Sequence, residues 1–232
     1  MEEDFSEWTG VERRQNPREN NIVIVRHAES IANTQGIYQG QTYDTDLSDL
    51  GKKQAKALAS RLKIFGIKKV ITSPLKRTHQ TAKAIADEIG CEVMINEKII
   101  ETNHGKWEGK HKDWIKENFK DIYEMWLQKP SGVVFPNGES FMDTVKRTLD
   151  FLENTEIEPY SAIVTHDNIL RAMISLIKNS DIDKMWDIPL ETAALNILEI
   201  NKVNQKNLYR ILKLNDTGHL KGFRNNVRKH AL

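Results

Sequence analysis

One cysteine, Cys91, stands in a chain of 232 residues. That count excludes an internal disulfide and a cysteine-built metal cluster, and it fits a reducing, cytoplasmic setting. Long hydrophobic runs are missing too. The longest uninterrupted apolar stretch is Ile22-Val23-Ile24-Val25, far short of the roughly 20 residues that a membrane-spanning helix needs. Residues 1–20 hold no apolar core and carry acids early, so a signal peptide is not expected. Charge of one sign is equally scarce: 34 Lys and Arg balance 33 Asp and Glu, a formal net charge of +1. A nucleic-acid binder held by a global basic field is therefore not expected. Internal repeats and low-complexity tracts are absent.

What is present is the composition of a globular chain, 39% hydrophobic and 29% charged, long enough to bury a core without staples. Residues 1–20 contain six acids against Arg13, Arg14 and Arg18 and read as a loosely docked polar extension. Residues 221–232 carry Lys221, Arg224, Arg228 and Lys229 without an acid and read as a solvated basic tail. Residues 21–220 between them form the predicted domain. Ile22 to Val25 is a β-branched run of the kind found in a strand buried on both faces. Lys69 to Thr72, Glu92 to Ile95 and Ser161 to Val164 are further strand segments, and Leu195 to Ile200 with Leu208 to Leu214 a closing pair. Helical spacing marks Ala55, Leu58, Ala59 and Leu62, then Met142, Val145, Leu149 and Leu152, then residues 168–178. Ser73-Pro74 reads as an N-cap followed by a first-turn proline, opening a helix to about Glu88. Residues 111–128 are predicted helical, though aromatic and irregular. Strands alternating with helices predict an α/β fold with a mostly parallel sheet.

In such folds ligands sit beyond the carboxyl ends of the strands. Arg26-His27-Ala28-Glu29-Ser30 follows the first strand, Thr165-His166-Asp167-Asn168 follows Val164, and a turn after Ile71 leads to Arg77. Three strand ends thus bring two histidines and two arginines to one edge of the sheet. Guanidinium groups present planar forks of donors that match phosphate oxygens. A neutral imidazole is a competent nucleophile, since its unperturbed pKa is about 6.5, and nearby guanidinium groups favour that neutral form. Its attack on a phosphoryl group divides one hard hydrolysis into two steps, with positive charge stabilising the equatorial oxygens. The constellation fits phosphoryl transfer with no metal and no cofactor.

These residues resemble the histidine phosphatase superfamily, branch 1, the phosphoglycerate-mutase-like family. Arg26-His27-Ala28-Glu29-Ser30 is similar to its Arg-His-Gly-Glu-Ser/Thr signature, with alanine for the usual glycine. Asn33, then Leu47, Ser48, Gly51, Gln54 and Ala55, then Ser73 to Ala82 with Arg77 on the family's arginine, follow in order. Glu101 with Gly105-Lys106-Trp107-Glu108-Gly109, then Gly138-Glu139-Ser140, then His166 complete the series. Ordered matches along the chain carry more weight than any single motif.

The resemblance implies a three-layer sandwich, its mostly parallel central sheet flanked by helices. It implies His27 as the nucleophile, Arg26, Arg77 and His166 as phosphate holders with Asn33 and Ser30 assisting, and Glu101 as general acid and then general base. The expected activity is hydrolysis of a small-molecule phosphate ester. Two alternatives stay open: a phosphoglycerate mutase and a noncatalytic phospholigand-binding protein. The stretch from Glu101 to Gly138 contains no arginine, which favours hydrolysis over a mutase that must clamp a second anionic group. Asp167 stands where the family usually has glycine, beside the expected anion, and rivals Glu101 as the acid. His104 and His111 are expected at the surface, and Trp107, Trp114, Tyr123 and Trp126 in the core. The sequence leaves the oligomeric state open, a homodimer included.

Overall fold

Alternation along β1 (Asn21–Arg26) sets the layers. Ile22 and Ile24 join one core cluster and Val23 and Val25 another, and all four are buried. A strand covered on both faces belongs in the middle of a sheet. The computed structural model describes residues 20–203 and 206–224 and has that arrangement. Its six-stranded sheet runs β3 (Glu92–Ile95), β2 (Lys69–Thr72), β4 (Ser161–Thr165), β1, β5 (Leu195–Val203), β6 (Lys206–Asp216). The first four strands are mutually parallel. β5 joins β1 antiparallel, and β6 pairs antiparallel with β5.

Helices cover both faces. α1 (Ile31–Gln35) is a short turn after β1, while α2 (Asp49–Leu62) and α3 (Lys76–Ile89) pack on the Val23–Val25 side. α4 (Lys112–Asn118) and α5 (Lys120–Gln128) lie between β3 and α6 (Phe141–Asn154) in the chain. α6 and α7 (Asp167–Ile177) pack on the Ile22–Ile24 side through Phe151, Leu152, Leu170 and Met173. A third, aromatic cluster gathers Tyr38, Trp107, Tyr123, Trp126, Phe135 and Phe141. The mostly parallel sheet between helical layers agrees with the expectation. No helix among the described residues is long and apolar enough to cross a membrane.

Two expectations need correction. Ser73 is not the N-cap of α3: Leu75 is, with no side-chain bond of its own. The free Lys76 N–H is met instead by Asp44 Oδ2 at 2.6 Å, so a remote carboxylate supplies the cap. Residues 111–128 are helical as expected, in two pieces, because Phe119 leaves the helical region at φ −136°, ψ 41° and packs near Trp107 and Trp114. Trp114 is 39% exposed, so it is not an interior residue. The polar extension lies outside the described residues except for Asn20, whereas the basic tail is described from Lys221 to Arg224, where Arg224 pairs with Glu191.

Candidate active site

Register explains how the histidines meet. Arg26 of β1 pairs with Thr165 of β4, and the His27 N–H donates to Thr165 O at 2.9 Å. The next residue on each strand is a histidine, and the two rings lie edge to face with centroids 5.4 Å apart. β2 adds the third member: Ser73 N–H donates to Val164 O, and Ser73 Oγ lies 2.8 Å from His166 Nε2.

His27 Nδ1 lies 2.8 Å from Ala28 O. A carbonyl only accepts, so Nδ1 carries the proton and Nε2 the lone pair. The pocket at this ring is lined by Arg26, His27, Asn33, Ile37, Gln39, Arg77, Glu101 and Asp167. Both arginines are buried. Burial lowers the pKa of each, offset by Asp167 for Arg26 and by Glu101 and Asp44 for Arg77. Arg77 is aimed by Asp44 Oδ1 at 2.8 Å and Gly40 O at 3.2 Å. Arg26 Nε and Arg77 Nε have no protein partner, although buried donors are normally satisfied.

Glu101 is the pocket's protonatable carboxyl. Burial pushes it up to about 7, against the pull of Arg77 and of the Thr102 N–H that it accepts at 2.8 Å. Asp167 is held differently. Its Oδ1 pairs with Arg26 Nη1 at 2.8 Å and its Oδ2 with Arg171 Nε at 2.7 Å. Arg171 is itself anchored on the carbonyls of Met185 and Ile188. Asp167 thus lines the pocket as the ion-pair partner of two arginines. Breaking such a buried pair leaves an uncompensated charge. Asp167→Asn is therefore expected to lose about 3 kcal/mol of unfolding free energy, read by urea denaturation. A loss below about 0.5 kcal/mol, the scale of an exposed pair, would show that the contacts hold little.

Not every expected residue faces the pocket. Ser30 caps α1, its oxygen bonded to Asn33 N, Asn33 Oδ1 and Gln39 Nε2, and it is absent from the lining. It acts on Asn33, whose carbonyl it turns back. His166 stands beside His27 rather than in the lining, and burial together with Arg77 and His27 keeps it well below its ordinary pKa. His104 corrects the surface expectation: it is fully buried among Tyr38, Trp126 and Phe135, and burial lowers it to about 4. His111 does lie at the surface, as the N-cap of α4.

Sequence reasoning missed Asp44, Ser73 as a histidine partner, Gln39 and Glu108. Glu108 organises residues 40–43. Its carboxylate accepts from the backbone of Gln41, Thr42, Tyr43 and His104 and from the Thr42 hydroxyl. Burial opposes its ionisation, but these bonds prevail and hold it below the usual range. A Cβ at Gly40 would fall 2.0 Å from Glu108 Oε1, so any side chain there would displace this carboxylate from the loop. Glu108 was available within the Trp-Glu-Gly match; Asp44 carried no signal.

Comparison with known proteins identifies the family. The family model of the histidine phosphatase superfamily (branch 1) matches residues 22–217. Phosphoserine phosphatase 1 of Hydrogenobacter thermophilus is 36% identical over 87% of this chain and 95% of its own. The probable phosphoglycerate mutase GpmB of Escherichia coli is 33% identical over 67% of this chain and 74% of its own. Among solved structures, Bacillus stearothermophilus YhfR superposes with a TM-score of 0.78 over 86% of this chain and 98% of its own, at 24% identity, a likeness of fold. The chain belongs to branch 1 of the histidine phosphatase superfamily.

Proposed function

We propose that this phosphatase hydrolyses a small phosphate monoester through a phosphohistidine on His27, with no metal ion. The observation that carries the reading is the His27 Nδ1–Ala28 carbonyl bond, which puts the reactive lone pair on Nε2 of a ring that shares its pocket with two buried arginines and Glu101. Nε2 attacks phosphorus. The P–O ester bond breaks, and the leaving oxygen takes the Glu101 proton. Water then attacks the phosphohistidine, gives its proton to the Glu101 carboxylate and breaks the P–N bond, which restores both groups. Arg26 and Arg77 hold the equatorial oxygens, where fixed positive charge is worth most. Asn33 adds its amide from the lining. If Ser73 donates to His166 Nε2, the other ring nitrogen, Nδ1, carries a proton and has no protein partner; it is assigned to the phosphoryl group.

Glu101 rather than Asp167 is the acid in this reading, because Asp167 is already engaged by Arg26 and Arg171. That arrangement also weakens the noncatalytic alternative: the carboxylate replacing a glycine is neutralised by arginines. Mutase activity is less supported, since nothing between Glu101 and Gly138 offers an arginine for a second anionic group. The relative named as a phosphoserine phosphatase makes amino-acid and other compact alkyl phosphates the first substrates to try. Phosphate release from a panel containing phosphoserine, 3-phosphoglycerate and p-nitrophenyl phosphate, in excess EDTA, tests the proposal. Turnover of at least one alkyl phosphate is expected to survive chelation. Isomerisation of 3-phosphoglycerate exceeding phosphate release would replace hydrolysis by mutase activity.

A further inference from the structure

The three letters of Gly138-Glu139-Ser140 do separate physical work. A Cβ at Gly138 would lie 2.3 Å from Asn103 O and 2.8 Å from Gly105 N, so this backbone packs directly on the segment that follows Glu101. Ser140 caps α6 in a reciprocal box with Asp143. Glu139 is the remaining letter. Its Oε1 accepts from Asn103 N–H at 2.8 Å, Thr144 Oγ1 at 3.0 Å and Arg147 Nη2 at 2.8 Å. Arg147 Nη1 then donates to Lys98 O at 3.0 Å and Ile100 O at 2.6 Å. Both sides of Glu101 therefore hang from one ion pair based on α6: Lys98 and Ile100 before it, Asn103 after it. Thr144 Oγ1 also meets Thr102 Oγ1 at 3.0 Å. Neither Glu139 nor Arg147 lines the pocket.

We propose that the Arg147–Glu139 pair is the positioning device for the proton donor, a clamp that sets where the Glu101 carboxyl stands without touching substrate. The proposal rests on the reading of Glu101 as general acid. Proton transfer needs heavy atoms within about 3 Å, and a displacement of about 1 Å costs on the order of 100-fold. Glu101 sits in a loop between a 3₁₀ turn and another, so its own segment offers no helix or strand to fix it. The clamp supplies that rigidity from α6.

The leaving group distinguishes positioning from general stability. p-Nitrophenolate departs without a proton, whereas an alkoxide needs one. The experiment compares kcat/KM for p-nitrophenyl phosphate with that for the best alkyl phosphate, in wild type, Glu139→Gln, Arg147→Lys, Glu101→Gln and the Glu101→Gln/Arg147→Lys double variant. The alkyl-to-aryl ratio cancels any loss of folded enzyme. It is expected to fall about 100-fold in Glu101→Gln and about tenfold in each clamp variant. The double variant should be no lower than Glu101→Gln alone, because a clamp with no acid to hold has nothing left to contribute. A ratio unchanged in both clamp variants, or both substrates falling equally, overturns the clamp even where Glu101→Gln behaves as expected. A ratio unchanged in Glu101→Gln overturns the proton-donor reading itself.

Discussion

Phosphate release by the His27→Ala variant should fall by at least about a thousandfold. The substitution removes the one nitrogen that the Ala28 carbonyl leaves unprotonated beside the pocket. It leaves Arg26, Arg77 and Glu101 in place, so electrostatic stabilisation of a phosphoryl group persists. Residual turnover would then come from direct attack by water. A second signature belongs to the nucleophile alone. Enzyme quenched in alkali during turnover of a labelled ester should retain acid-labile phosphate, and His27→Ala should retain none. A variant keeping a tenth or more of wild-type kcat, or labelling as well as wild type, would remove His27 from the mechanism.

Glu101→Gln is expected to move activity and stability in opposite directions. The carboxyl sits near 7 because burial penalises its ionised form. As the proton donor it must be protonated for the first step, so wild-type turnover of alkyl esters should decline above about pH 7. Glutamine cannot donate in that way, and kcat on those esters should fall by about 100-fold or more. Stability follows from linkage. The native carboxyl holds its proton up to about pH 7, whereas the unfolded one loses it near 4.3. Between those values the native state binds more protons, so this group's contribution declines as pH rises and has fully declined above the native value. The difference is on the order of 3 kcal/mol. A neutral glutamine avoids it, so the variant should melt higher than wild type in mildly alkaline buffer and lose that advantage in acid. An equal or lower Tm in alkaline buffer, with wild-type pH dependence, would mean that Glu101 is not held protonated by burial.

The fold was readable wherever strands repeat a local pattern. Ile22 to Val25 showed a doubly covered strand because four β-branched residues in a row leave no polar face. The short strands β2 and β3 were found at their observed bounds. The α3 cap was misread because Ser73-Pro74 has cap chemistry locally, while the carboxylate that fills the role is Asp44, 32 residues away. Site residues at strand ends were legible for a topological reason: parallel register turns position along a strand into position along an edge. Asp44 and Arg171 were not legible. Their roles depend on which loop passes which guanidinium, and no periodicity records that.

The aromatic cluster around Trp107, Trp126 and Phe135 has a consequence for the pocket. It is a core of its own, distinct from the two that sandwich the sheet. Residues 110–135 contribute much of it and none of the pocket lining. Tyr38 and His104 join it to the neighbours Ile37 and Gln39. A packing change inside that cluster therefore has a route to the lining through Tyr38 and His104, and to the helix that carries Asp167 through Ala172.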